Sequence, residues 1–304
     1  MTPSLDGSEP KTIAVTSFDG CTLVANLFGR MDKGAIILSP GGGQTRHAWS
    51  GAAIAFAREG HFVLCADLRG HGDSDRAPDG AYSYHDYAQD ALVLSDWVES
   101  QAGVKPHFIG ASLGGVAALM AAGKIRQDGF ASLTLVDVAP KISEHGFGLI
   151  RNFMLDTAKN GFENVSEAAA FLSKHFPRPN AENRSSGGSS GLQKNLRQGE
   201  DGRWRWHWDP AFVETLYLEP EEFERELTEA AKNLIIPVHF MRAGNSELVT
   251  QEAAAHFRDI APHIYFTEIK GAQHMVTGDQ NDIFVNAALE YLARPELRRT
   301  PAGK

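Results

Sequence analysis

Cysteine is scarce: two residues, Cys21 and Cys65, in a chain of 304. Neither lies in a pattern that spaces metal-binding thiols, and two cysteines make no disulfide framework, so both are expected as buried free thiols in apolar strands. Clustered positive charge is missing too. The net charge is −9, which argues against a nucleic-acid partner, because neutralising phosphates needs grouped Lys and Arg. No apolar run approaches the length of a bilayer span, so no membrane partner is expected. MTPSLDGSEPKT at the start has neither a basic region nor an apolar core of the secretory type, and the expected compartment is cytoplasmic. Hydrophobic residues at 42% and charged residues at 22% are ordinary for a globular chain of this length, which is long enough to bury a sizeable core.

Short apolar runs alternate with helical patterns. TIAVTSF and TLVANLF read as an opening hairpin, followed by the strand GAIILSP, a helix ending at Gly60, and the strand HFVLCADL. HFIGAS and ASLTLVDVAP continue the strands, and IIPVHFMRA and HIYFTEI resume them after a long interval. Apolar strands separated by helices imply an α/β fold, with a mostly parallel central sheet covered on both faces. Between Pro140 and about Leu234 the strand signal vanishes and helical patterns take over. This segment, 140–234, is expected to be an inserted helical cap, with 1–139 and 235–304 forming the core. A polar Gly/Ser tract inside it reads as a surface loop.

The pattern Gly-x-Ser-x-Gly occurs twice, around Ser112 and around Ser189. Ser189 lies in the Gly/Ser tract, with no strand before it and no helix after it, so nothing would fix a nucleophile there. Ser112 stands where HFIG meets the helical run GGVAALM. A strand turning sharply into a helix brings backbone against backbone, which requires small residues two before and two after the serine. Ser112 is therefore the expected nucleophile.

A serine hydroxyl attacks only when a base takes its proton, and that base needs an orienting acid. His274, in a loop between the last strand and the last helix, is the expected base. Glu247, just after a strand in FMRAGNSELVT, is the expected acid. Asp137, at the end of the strand TLVDV, is the alternative. The oxyanion would be held by backbone N–H groups of Leu113, directly after the serine, and of Gly42 in SPGGGQ, where three glycines allow close approach to a substrate. No cofactor and no metal are implied. Trp49 and Met275 flank the expected site, and Trp206 belongs to GRWRWHWDP; these three are candidate substrate contacts. Burial of the tryptophans between cap and core is the competing reading. Leu149, Phe153, Met154 and Phe171 are expected inside the cap, and His207 is expected to be structural. Arg69 is expected to anchor backbone in its loop, and His71 shows no evident partner.

With the glycine loop, ADLRGHGDS, GASLGG, RAGNSELVT and GAQHMV in this order, the whole chain resembles the α/β-hydrolase superfamily, and most of all its capped esterases, lactonases and C–C bond hydrolases. The resemblance implies an acyl-enzyme mechanism on a small molecule, an ester, thioester or lactone with an apolar portion. Diketone C–C hydrolysis by the same residues is an alternative, and a non-catalytic binding protein on this fold is another. Relatives usually carry Asp where Glu247 stands, and His-Gly where this chain has Pro40-Gly41. Oligomeric state is not legible.

Overall fold

A computed structural model describes residues 10–175, 192–193, 195–216, 219–272, 274 and 281–297. The chain opens with the hairpin β1 (Lys11–Thr16) and β2 (Thr22–Phe28), then β3 (Ala35–Ser39), α1 (Ser50–Arg58) and β4 (Phe62–Ala66). There follow α2 (Tyr84–Ala102), β5 (His107–Ala111), α3 (Leu113–Met120) and β6 (Ser132–Val136). The sheet order is β1-β2-β4-β3-β5-β6, completed by two later strands, β9 (Val238–Ala243) and β10 (Tyr265–Ile269). The first three strands pair antiparallel and the rest parallel. This is the expected α/β architecture.

Strand periodicity explains how both faces fill. β3 is buried at every position: Ala35 and Ile37 face one apolar cluster, Ile36 and Leu38 the other. Side chains alternate across a strand, so a strand covered on both sides reads as unbroken hydrophobics. The first cluster takes its helical cover from α2, α3 and α8 (Gln251–Ile260), the second from α1 and α9 (Asn281–Leu292). Helix ends carry local signals. Ser83 and Asp86 close a capping box on α2, and Gly103 ends it with φ of +68°.

The segment between β6 and β9 holds α4 (Glu144–Asn160), α5 (Val165–His175), α6 (Pro210–Thr215) and α7 (Pro220–Lys232). It also holds a small antiparallel hairpin, β7 (Leu196–Gln198) with β8 (Trp204–Trp206), the second strand lying in the alternating GRWRWHWDP stretch. α7 packs against α3. Phe223, Leu227, Ala230 and Ala231 are buried in the same cluster as α3, and Lys124 binds Glu226 and Glu229 at 2.8 and 2.6 Å. α7, expected within the inserted segment, thus rests on the core helix α3. The sequence misses this because α7 is as amphipathic as any cap helix. The Gly/Ser tract, Ser189 included, lies outside the described residues. Among those described, no helix is long and apolar enough to cross a membrane.

Backbone hydrogen bonds are among the contacts that tie the segment between β6 and β9 to the sheet loops. Ser143 N–H donates to Leu248 O at 2.8 Å, and Asp209 N–H donates to Gly70 O at 2.8 Å. Asp209 also caps α6 and accepts from Tyr82 Oη at 2.8 Å.

Candidate active site

β5 ends at Ala111 and α3 begins at Leu113, so a single residue, Ser112, makes the turn. Its backbone holds φ 46° and ψ −121°, a region that L-residues rarely occupy and that costs on the order of 1–3 kcal/mol. The glycines around it are there for room. A Cβ on Gly110 would stand 2.6 Å from the Gly114 carbonyl carbon, and one on Gly114 would stand 2.6 Å from Pro40 O. The two glycines of the motif thus face each other across the turn, and Gly114 also presses on the loop after β3.

His274 faces the serine. Its Nε2 lies 3.3 Å from Ser112 Oγ, and its Nδ1 lies 2.6 Å from Asp137 Oδ2. The carboxylate on the imidazole is therefore Asp137 and not Glu247, which is exposed. The physical reason lies in the strand ends. Asp137 leaves β6 with φ of +53°, and its buried carboxylate is then held from three sides. Ala243 N–H donates to Oδ1 at 3.0 Å, Ser246 Oγ donates to Oδ2 at 2.6 Å, and His274 takes the remaining direction. The loop bearing Glu247 contributes Ser246 instead. That hydroxyl accepts from Leu248 and Val249 N–H at 3.2 and 2.9 Å, so it is fixed in turn. Arg242 pins the same loop by donating to Val249 O at 2.9 Å. Ser246 went unnoticed in the sequence, although it sits one residue from the carboxylate expected to act.

Gly42 lies beside Leu113: a Cβ on Gly42 would stand 3.6 Å from Leu113 Cδ2 and 3.6 Å from Phe212 Cε2. Gly41 N–H donates to Gln44 Oε1 at 3.1 Å and Gly43 N–H to His71 Nε2 at 3.0 Å, which leaves Gly42 N–H between two committed neighbours. Leu113 is the first residue of α3, where an N–H has no partner within the helix. His71 therefore does have a partner, and it is the glycine loop. Arg69 binds Asp90 at 2.6 Å and Asp19 at 2.9 Å, anchoring side chains of α2 and the first hairpin. Burial holds His71 down to about 4 and His207 down to about 3, so both imidazoles are neutral near pH 7.

The candidate substrate contacts fare differently. Trp49 is fully buried in the second core cluster, edge-on to Phe284 at 5.4 Å, so it does not flank the site. The short 3-10 turn Arg46–Trp49 that precedes α1 places that ring in the second cluster. Met275 lies outside the described residues. Trp206 sits inside the cap, donating to Thr157 Oγ1 at 2.8 Å and stacking on Trp208 at 4.9 Å. Phe153 joins this aromatic interior, while Leu149 is exposed rather than buried. The cap rings nearest the glycine loop are Trp208 and Phe212. A Cβ on Gly43 would lie 3.1 Å from Met154 Cε and 3.5 Å from Trp208 Cζ3. Met154, Trp208 and Phe212 thus make an apolar wall beside the glycine loop. Among the described residues no group of three His, Cys, Asp or Glu side chains is placed to hold a metal.

Comparison with known proteins identifies the family of this chain. Residues 34–280 match the family model described as the alpha/beta hydrolase fold. A bifunctional esterase/perhydrolase of Acinetobacter calcoaceticus is 27% identical over 251 residues, spanning 78% of this chain and 83% of that protein. An esterase of Mycobacterium tuberculosis is 27% identical over 250 residues, 81% of this chain and 78% of its own. The crystal structure of E-2-(acetamidomethylene)succinate hydrolase superposes with a TM-score of 0.80 at 22% identity, covering 94% of this chain and all of that one (100%).

Proposed function

The chain belongs to the α/β-hydrolase fold family, and from that premise we propose that it is a serine hydrolase that cleaves carboxylic esters, thioesters or lactones with an apolar portion through an acyl-enzyme. One observation carries the reading: Ser112 Oγ, His274 and Asp137 form a single line of contacts at 3.3 and 2.6 Å, on a strained turn beside two backbone N–H groups.

In this reading His274 Nε2 accepts the Ser112 proton as Oγ attacks the carbonyl carbon. Asp137 accepts from Nδ1–H, which keeps the ring in the tautomer whose Nε2 is free and stabilises the imidazolium that forms. Negative charge grows on the carbonyl oxygen, where Gly42 and Leu113 N–H groups and the α3 N-terminus meet it. His274 returns its proton to the leaving alkoxide or thiolate. Water, deprotonated by the same nitrogen, then opens the acyl-serine. Met154, Trp208 and Phe212 give the substrate's apolar part a dry surface.

Intact-mass analysis after incubation with a fluorophosphonate tests this. Wild type gains one adduct and Ser112→Ala gains none, and the same pair is compared on p-nitrophenyl butyrate and a lactone panel. A folded wild type that takes no adduct and turns over no ester sinks the reading.

A further inference from the structure

The loop proposed to hold the oxyanion is rich in glycine; its own Gln44 takes Gly41 N–H on Oε1 at 3.1 Å, and the rest of its hold comes from outside. Gln44 N–H donates to Gly41 O at 3.2 Å, and Gly43 holds φ of +81°. That is the pattern of a type II turn, whose third position demands positive φ. Across a trans peptide the C=O and N–H point opposite ways, so with Gly41 O turned into the loop, Gly42 N–H is turned out of it. Successive glycines oppose little resistance to other conformers. The turn is held from outside, at Gly43.

Two imidazoles grip both polar ends of that residue. His71, from the core loop after β4, accepts Gly43 N–H on Nε2 at 3.0 Å and donates Nδ1–H to Arg69 O at 3.0 Å. His207, from the cap just after β8, donates Nε2–H to Gly43 O at 3.2 Å and accepts Gly72 N–H on Nδ1 at 2.7 Å. Each ring has a backbone carbonyl on one nitrogen and a backbone N–H on the other. The tautomers are thereby fixed and opposite, and each ring must be neutral. The rings are 5.7 Å apart and both buried. The charged side chains around them are Asp209 beside His71, and Arg197 and Asp73 beside His207. A proton added to either ring would set an N–H against an N–H and open the grip.

We propose that His71 and His207 are positioning residues for the oxyanion hole, the core and the cap each fixing one end of Gly43 so that Gly42 N–H is presented to the substrate carbonyl. The cap is then part of the catalytic machinery through one imidazole, not only a wall for the substrate. This rests on the serine-hydrolase reading above.

The test compares His207→Gln, which keeps an N–H donor where Nε2 stood, with His207→Asn, which keeps an acceptor on the Nδ1 side and loses the donor to Gly43. The probes are p-nitrophenyl butyrate and a trifluoromethyl ketone, whose reversible adduct on Ser112 places an oxyanion in the hole. Removing an oxyanion donor outright costs about 10²–10³ in kcat. Loosening its support is expected to cost about 10–100-fold in His207→Asn, with KM nearly unchanged and ketone affinity weakened by a similar factor. His207→Gln is expected to return most of both. Should His207→Asn not fold by circular dichroism, the pair His71→Gln and His71→Asn carries the same contrast, Gln keeping the acceptor for Gly43 N–H. An Asn variant with wild-type kcat and ketone affinity, or a loss borne by KM alone, overturns the clamp while the hydrolase reading stands. A wild type with no turnover and no ketone adduct overturns both.

Discussion

Ser112 and Asp137 leave neighbouring parallel strands at the same level of the sheet, and both leave them with positive φ. Ala111 pairs with Val136 in register, so the next residues on each strand are these two, and Ser112 N–H donates to Val136 O at 3.3 Å. Among the described residues they are the two non-glycine positions with positive φ, 46° and 53°. Backbone strain of this kind persists only where the surroundings over-determine it, and it gathers at working sites. Here the two strained residues stand on either side of one imidazole. The geometry therefore singles them out before any chemistry is assumed.

Asp137→Asn should abolish most turnover. An amide can present its own N–H to Nδ1 and hold the wrong tautomer, and in such triads this costs about 10⁴ in kcat. Glu247→Gln should leave kcat within about 2-fold, because an exposed carboxylate that does not reach the imidazole gives the transition state almost nothing. Steady-state rates on p-nitrophenyl butyrate separate the two. A large loss in Glu247→Gln with Asp137→Asn near wild type would return the acid to Glu247.

That contrast also shows where sequence reading succeeds and where it stops. The serine, the histidine and the glycine loop were legible because each depends on a local rule: small residues at a tight turn, a loop between known elements, glycines after a strand. The acid was not, because β6 and β9 are adjacent parallel strands whose ends offer carboxylates to the same edge. Which one meets His274 depends on a left-handed turn at Asp137 and on a hydroxyl from the other loop. Neither has a signature in a single sequence. Trp49 failed for a similar reason, since position beside a loop says nothing about which face of the sheet a helix turns its ring toward. The packing of α7 on α3 was not legible either, because its helical period is the same whichever neighbour its apolar face meets.

Ser246→Ala should loosen the acid without removing it. The hydroxyl donates to Asp137 at 2.6 Å and accepts from two backbone N–H groups, so alanine unpairs all three. Leaving partners unmatched beside a buried carboxylate costs about 1–3 kcal/mol of stability. Activity should fall about 10-fold, the scale seen when support for a working residue is removed. The pH profile of kcat/KM distinguishes this from simple destabilisation: the acid limb, which reports the imidazole, should move in Ser246→Ala and stay put in a Ser→Ala variant elsewhere, such as Ser100→Ala.

Acid should unfold the protein through its buried histidines. Burial lowers His61 and His71 to about 4, and His207 and His239 to about 3. The unfolded chain takes up these protons near pH 6.5, the folded one only far below. Stability is therefore flat above about pH 7 and is lost as pH falls from about 6.5 toward 4, by at most about 1–2 kcal/mol per histidine between pH 7 and 5. Urea unfolding at pH 7.5 and 5.5 reads this directly. His239→Gln should flatten the profile by one histidine's share, since His239 lies far from the site, against Tyr265 and Tyr291. A profile unchanged by that substitution would show that His239 is not among the responsible groups.

Two glycine-to-alanine changes should move stability in opposite directions. Gly148 lies in α4, and a Cβ there meets nothing within 4 Å; alanine removes unfolded-state freedom and should stabilise by about 0.5–1 kcal/mol. Gly114 also lies in a helix, yet its Cβ would meet the Ser39 hydroxyl at 2.5 Å and Pro40 O at 2.6 Å. The backbone there cannot withdraw freely, because Gly114 N–H itself donates to Pro40 O at 3.2 Å and fastens the serine turn to the glycine loop. Overpacking of this kind costs about 1–3 kcal/mol, and it pushes the loop bearing Gly42 away from Leu113. Gly114→Ala should therefore lower Tm by several degrees and cut kcat by more than the stability loss explains at 25 °C, where the protein is still folded. If Gly114→Ala lowers Tm but leaves kcat intact, the spacing between the serine turn and the glycine loop does not matter to turnover, and the oxyanion donors must be sought elsewhere.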